Sequence, residues 1–217
     1  MYLQQNLANE KEVTNMIYKI LLGKDFKRLH PKLQARYELP LNEPFLAKGT
    51  MHIIRSGPTY LKPMYALFTK NNFLFPESGK QIPFTISNRS YISDNQESSV
   101  YWERTFYFKG VTRKFNATMT IDTKRRIVKD YLGDPAIFYS DLQFDVTQDG
   151  CLLIRSTEQR IVIGACEFNL PRALTGRVVV LEGYDAEEDV YTIHVSIYND
   201  LLGRMMAYAG TFTPSSR

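Results

Sequence analysis

Tyr101-Trp102-Glu103-Arg104-Thr105-Phe106-Tyr107-Phe108 is the stretch on which the fold turns. Aromatic and β-branched residues dominate it, and such side chains suit a pleated, half-buried surface. Side chains alternate across a strand, so Trp102, Arg104, Phe106 and Phe108 share one face and Tyr101, Glu103, Thr105 and Tyr107 the other. The first face is the more apolar, yet it carries an arginine, and a buried charge without a partner is costly. Two readings of Arg104 follow. It is paired to an internal carboxylate such as Glu182, or it faces a cavity and orients the carboxylate or phosphate of a ligand.

Outward from this stretch the same period of two recurs. Phe115, Ala117, Met119 and Ile121 alternate with Asn116, Thr118 and Thr120, which predicts a half-buried strand. Upstream, Met51–Arg55 and Phe84–Ser87 read as strands. Downstream, Cys151–Arg155 and Arg160–Gly164 predict a hairpin turning at Ser156–Gln159, and Val178–Leu181, Tyr191–Tyr198 and Arg204–Phe212 close the chain. Eight or more strands with short connections predict a meander over residues 45–213, curled into a barrel or half-barrel. The class is α+β, mostly antiparallel β, in a single domain over residues 1–217 with N-terminal helices packed on the sheet.

Residues 9–37 read as helical. Val13, Met16, Ile17, Ile20 and Leu21 form one apolar stripe, with Asn9 as N-cap, Glu12 three residues on and Gly23 as the stop. A second helical stretch breaks at Pro31, with His30 near the new N-cap, and ends around Tyr37. Residues 57–83 hold Pro58, Pro63, Pro76 and Pro83 among many aromatic and aliphatic side chains. Such a loop is either a crossover buried against the core or a lid over a barrel mouth, with Tyr60 and Tyr65 at that mouth.

Hydrophobic residues make up 44% of the 217, enough for a real core. The opening residues lack the basic-then-apolar pattern of a signal peptide, and no apolar run approaches the length of a spanning helix. With only two cysteines, a reducing, cytoplasmic setting is expected. Charge is uneven: six basic residues against Asp25 give Lys19–Arg36 a net +5, while twelve acidic residues against four arginines give Asp130–Tyr191 a net −8. Two solvated faces that partly attract each other account for this, and a basic helix meeting an anionic membrane or partner is the alternative.

Familiar catalytic signatures are missing. There is no GxGxxG after a strand and no GxxxxGK[ST], and Gly164-Ala165-Cys166-Glu167 is not a nucleophile elbow. His30, His52 and His194 lack metal-ligand spacing. No metal and no cofactor is expected, and an enzyme is the less favoured reading. Cys151 and Cys166 fall on opposing arms of the expected hairpin as neighbouring free thiols. His194 shares a strand face with Ser196 and Tyr198, most simply the solvent face. Basic residues do not interleave with aromatics on one face, which argues against nucleic acid. The candidate ligand-binding residues are Trp102, Arg104, Phe106, Tyr60 and Tyr65.

The run Met16-Ile17-Tyr18-Lys19-Ile20-Leu21-Leu22-Gly23-Lys24-Asp25-Phe26-Lys27-Arg28-Leu29-His30-Pro31 resembles the opening of the domain-of-unknown-function family numbered 4166. Trp102-Glu103-Arg104-Thr105-Phe106 is similar to that family's W-x-R-x-F strand, and Leu201–Arg204 through Tyr208–Phe212 to its closing strand. The resemblance spans roughly residues 14–213 and names no activity. It implies an occurrence either alone or attached to saccharopine-dehydrogenase-like oxidoreductase domains, so any dinucleotide chemistry would need a partner. Three functions are open: a binding domain for an apolar or amphipathic small molecule with an acidic end, an enzyme or accessory subunit of a nucleotide-dependent oxidoreductase, and a structural or partner-binding module with a filled core. The first two require a cavity.

Overall fold

Strands at least as long as the alternation predicts form a closed ring. The computed structural model describes residues 17–38, 40, 41 and 43–215. The strands are β1 (Phe45–Ser56), β2 (Gly79–Ile92), β3 (Ser98–Phe108), β4 (Val111–Asp122), β5 (Ile127–Gly133), β6 (Ala136–Val146), β7 (Leu152–Ile163), β8 (Cys166–Asn169), β9 (Gly176–Asp185), β10 (Val190–Asn199) and β11 (Gly203–Pro214). Neighbours pair antiparallel from β1 through β7, then β7 to β9, β9 to β10, β10 to β11, and β11 back to β1. The result is a closed ten-stranded barrel, with β8 hanging outside the ring on β7. An eight-stranded barrel is just filled by its own side chains, so ten strands leave room inside.

Two departures from the expected strands have physical reasons. β5 and β6 escape the alternation because inward positions carry Asp130 and Ser140 beside Val128, Leu132 and Leu142, which blurs the apolar period. The expected hairpin at Ser156–Gln159 does not form: β7 runs straight through it. The polar side chains there stand in for backbone pairing. Ser156 Oγ donates to Gly176 O (3.1 Å) and accepts from Val178 N (2.8 Å), while Gln159 exchanges bonds with Gly176 N and O at 2.6 Å. Leu152–Arg155 therefore pair with β9, and Arg160–Ile163 with β8. Cys151 and Cys166 lie at opposite ends of β7, roughly 35 Å apart along the strand, and are not neighbours.

The N-terminal segment plugs one end of the barrel. Helix α1 (Ile17–Leu22) buries Ile17, Tyr18, Leu21 and Leu22, then Gly23 turns with φ +54° into a short 3-10 helix. Ile20 points outward, so the buried face is rotated from the expected stripe; Asn9, Glu12, Val13 and Met16 lie outside the described residues. His30 caps α2 (Pro31–Tyr37), its Nδ1 accepting from Lys32 N at 3.3 Å. The β6–β7 turn docks on this joint through His30 N donating to Gly150 O (2.9 Å), where a Cβ on Gly150 would press on the Arg28–His30 backbone. Lys32–Asp189 (3.5 Å) and Arg36–Glu182 join the basic run to the acidic one. No helix among the described residues is long and apolar enough to cross a membrane.

Candidate functional site

The barrel interior divides into a filled half and an open half. Phe75, Phe84, Phe106, Tyr208 and Phe212 pack ring on ring behind β1, β2 and β11, with Phe106 at 5.2 Å from Phe75, 6.0 Å from Phe84 and 5.7 Å from Tyr208. Across from them, β3 to β7, β9 and β10 surround a cavity of about 1050 Å³. Its walls are aliphatic and aromatic, among them Phe115, Leu142, Ile154, Ile193, Val195 and Ile197. Arg104, Asp130 and Glu182 form a polar floor, while Gln159, Glu167 and Asn199 line the part nearer the open end.

That polar floor is built from three strands. Arg104 on β3 lies over the Phe115 ring (4.3 Å to its centre) and donates through Nη1 to the Tyr208 hydroxyl at 2.9 Å. Its Nε has no hydrogen-bond partner among the described residues, whereas the Trp102 indole N–H meets the Tyr18 hydroxyl. Asp130 on β5 is buried, and burial pushes its carboxyl up to about 7, with the Arg104 charge pulling the other way. Its Oδ1 also lacks a partner. Glu182 on β9 lines the cavity but is bound on its far side by Arg36 and by the Tyr37 hydroxyl, which donates to it. Burial raises Tyr37 to about 12, so it stays a donor. The Arg36 guanidinium lies within 6 Å of the ring centres of Tyr37, Phe45, Trp102, Tyr191 and Phe212, the nearest at 4.9 Å. Glu182 is thus paired with Arg36 rather than with Arg104.

Helix α3 (Lys62–Lys70) stands at the opposite, open end. Tyr65 turns away from the cavity: its hydroxyl accepts from Gly57 N (2.7 Å) and donates to Met205 O. Tyr60 is exposed and donates to Leu202 O at 2.7 Å. Met64, Leu67 and Phe68 reach the cavity instead, and Phe73, Leu74 and Phe75 beyond the helix are buried. Residues 57–83 are therefore both things the sequence allowed, a helix at the mouth and a crossover in the core. Of the five candidate residues, Trp102 and Arg104 line the cavity; Phe106 is covered by Phe75 and Tyr208, and Tyr60 and Tyr65 serve the wall and turn beside it.

A family model described as a domain of unknown function, DUF4166, matches residues 29–212. The chain belongs to this family. Every residue that lines the cavity, from Met64 to Met205, lies inside the DUF4166 match, whereas most of the Met16–Pro31 run precedes it. An uncharacterized protein of Bacillus subtilis (strain 168), YndH, is 38% identical over 193 residues, which is 89% of this chain and 94% of that protein. Sequence reasoning misses Asp130 and Gln159 on the barrel wall and Arg36 on α2 as site residues. Asp130 leaves one trace there: a carboxylate between Val128 and Leu132 on the apolar side of an alternating run. Arg36 leaves none, since a basic residue late in a helix is ordinary. His194 faces the exterior, with Ile193, Val195 and Ile197 inward. Among the described residues no cluster of His, Cys, Asp and Glu could hold a metal ion.

Proposed function

We propose that this chain binds an amphipathic small molecule with an acidic end, apolar part toward α3 and acidic group on Arg104. The observation that carries this is the cavity itself. Protein interiors are close-packed, with few voids larger than a water molecule, and small-molecule sites span roughly 300–1,000 Å³ with apolar walls and a few placed polar groups. At about 1050 Å³ the DUF4166 cavity matches that description, and it weighs against a module with a filled core. Arg104 retains an unused Nε donor, so an oxyanion would find a charged donor there. With Glu182 neutralised by Arg36, and Asp130 holding its proton below about pH 7, the floor carries the single positive charge of Arg104 in mildly acidic solution.

A second reading is catalysis on the bound molecule, alone or beside an oxidoreductase partner. Asp130 favours it, because a cleft carboxyl that titrates near neutrality can serve as general acid or base. Cytoplasmic residence accompanies either reading. Isothermal titration calorimetry with dodecanoate and with dodecanol tests the first. One-to-one binding of dodecanoate, at least tenfold tighter than dodecanol, is expected; equal affinities, or binding of neither, would defeat it.

A further inference from the structure

The open end of the barrel carries an unusual surface. Leu67 on α3, Ile161 and Ile163 on β7 and Leu174 after β8 both line the cavity and are exposed, so they form its rim. Next to them stand Phe168 on β8, 54% exposed, and Leu201 in the β10–β11 turn, 70% exposed. These loops are held as one rim. Asn199 Nδ2 donates to Ala173 O and Thr175 O at 3.0 and 2.8 Å, and its Oδ1 accepts from Leu201 N and Leu202 N. Scattered exposed hydrophobics need no explanation, but a contiguous apolar rim does.

Charge at this end leans basic, with Asp134 beside the lining Pro135 the exception: it takes the Tyr101 hydroxyl at 2.9 Å and no cation among the described residues. Glu77, Glu158, Glu167 and Asp200 are each engaged by an arginine: Arg113, Arg160, Arg160 again and Arg177. Lys62 and Lys70, which bracket α3, and Arg172, two residues before Leu174, have no carboxylate partner among the described residues. The rim thus joins apolar side chains to unneutralised cations, the combination that partitions into the headgroup region of an anionic bilayer.

We infer that the cavity mouth docks on an anionic phospholipid surface, through Leu67, Ile163, Phe168 and Leu201 with Lys62, Lys70 and Arg172. The inference rests on the proposed binding reading only for its purpose, which is exchange of the amphipathic ligand with the bilayer; the docking itself is separable. In that pose the barrel axis stands on the membrane, and a ligand tail can pass from acyl chains into the cavity without crossing water. The N-terminal helices, with the basic Lys19–Arg36 run, close the other end.

Sedimentation with extruded vesicles tests it, using phosphatidylcholine alone and phosphatidylcholine with 30 mole per cent phosphatidylglycerol. The parent should bind the anionic vesicles at least tenfold more tightly than the neutral ones, and less as salt is raised. Phe168→Asp with Leu201→Asp, two exposed positions that do not line the cavity, should lower binding at least tenfold while leaving the melting temperature and dodecanoate binding as in the parent. Parent protein that stays in the supernatant, or a double variant that still sediments like the parent, would overturn the inference. So would a parent dimer that this double variant turns into a monomer, because the rim would then be covered by a second copy. Loss of dodecanoate binding in both proteins, with vesicle binding intact, would instead overturn only the cavity reading.

Discussion

Arg36 on α2 and Glu182 on β9 form an ion pair in which neither side chain is more than 2% exposed. The pair fastens the N-terminal plug to the floor of the cavity, since Glu182 is also a cavity residue. A buried pair of this kind adds little over a well-packed apolar pair, yet breaking one side leaves an uncompensated charge. Arg36→Met should therefore cost about 3–5 kcal/mol in urea unfolding. Arg36→Met with Glu182→Met should recover most of that loss. Equal losses in the single and double variants would show that the cost comes from packing around the five rings instead.

The helix that carries the plug offers a paired comparison. Ile17 is 3% exposed and Ile20 39%. Ile17→Asp should unfold the protein or lower its melting temperature by more than 10 °C, since burying a charge costs several kcal/mol of a total near 5–15 kcal/mol. Ile20→Asp should melt within a few degrees of the parent, as surface substitutions usually shift stability by about 0.5 kcal/mol or less. Equal damage from both would mean that the helix packs on the face the apolar stripe alone predicts.

What the sequence reveals here depends on whether a residue obeys its element's period. β3 and β4 were legible because Trp102, Phe106 and Phe108, and then Phe115, Ala117 and Met119, keep the period of two with Arg104 as the one break. β5 was not, because Asp130 faces inward for the sake of the cavity. The Ser156–Gln159 run looks like a turn since its residue types favour turns, but these side chains take over hydrogen bonds from a ladder that splits between β8 and β9. For the same reason the site was half visible. Arg104 stood out as a charge on an apolar face, while the Arg36–Glu182 contact joins positions 146 residues apart and leaves no local pattern.

Asp130 should make stability fall as pH rises. An unfolded aspartate ionises near 3.9, and the folded one near 7. Between these values the native state holds a proton that the unfolded state releases, so the contribution is lost from about pH 4 to 7 and stays lost above. Asp130→Asn removes that decline. Its melting temperature should exceed the parent's at pH 8, with the gap shrinking toward pH 5. Parallel pH profiles for the two proteins would show that Asp130 is ionised throughout. The same proton governs binding: dodecanoate should bind the parent more tightly at pH 6 than at pH 8, and Asp130→Asn should flatten that difference.

Arg104→Met separates a ligand-orienting arginine from a structural one. Glu182 keeps Arg36, and Asp130 without its cationic neighbour simply holds its proton to higher pH, so no carboxylate is stranded. The variant should lose less than about 1.5 kcal/mol, the scale of one hydrogen bond to Tyr208. A loss of about 3–5 kcal/mol in thermal melting would make Arg104 part of an internal ion pair.

Trp102 is the sole tryptophan of the chain and lines the cavity beside Arg104, so its fluorescence reports directly on occupancy. Titrating the parent and Arg104→Met with dodecanoate at pH 6, below its micellar concentration, measures the central claim. A saturable change in Trp102 emission at one ligand per chain is expected in the parent, weakened at least tenfold in Arg104→Met, as a charge-assisted bond of about 1.5–3 kcal/mol requires. No saturable change in the parent, or the same affinity in both proteins, would contradict the account.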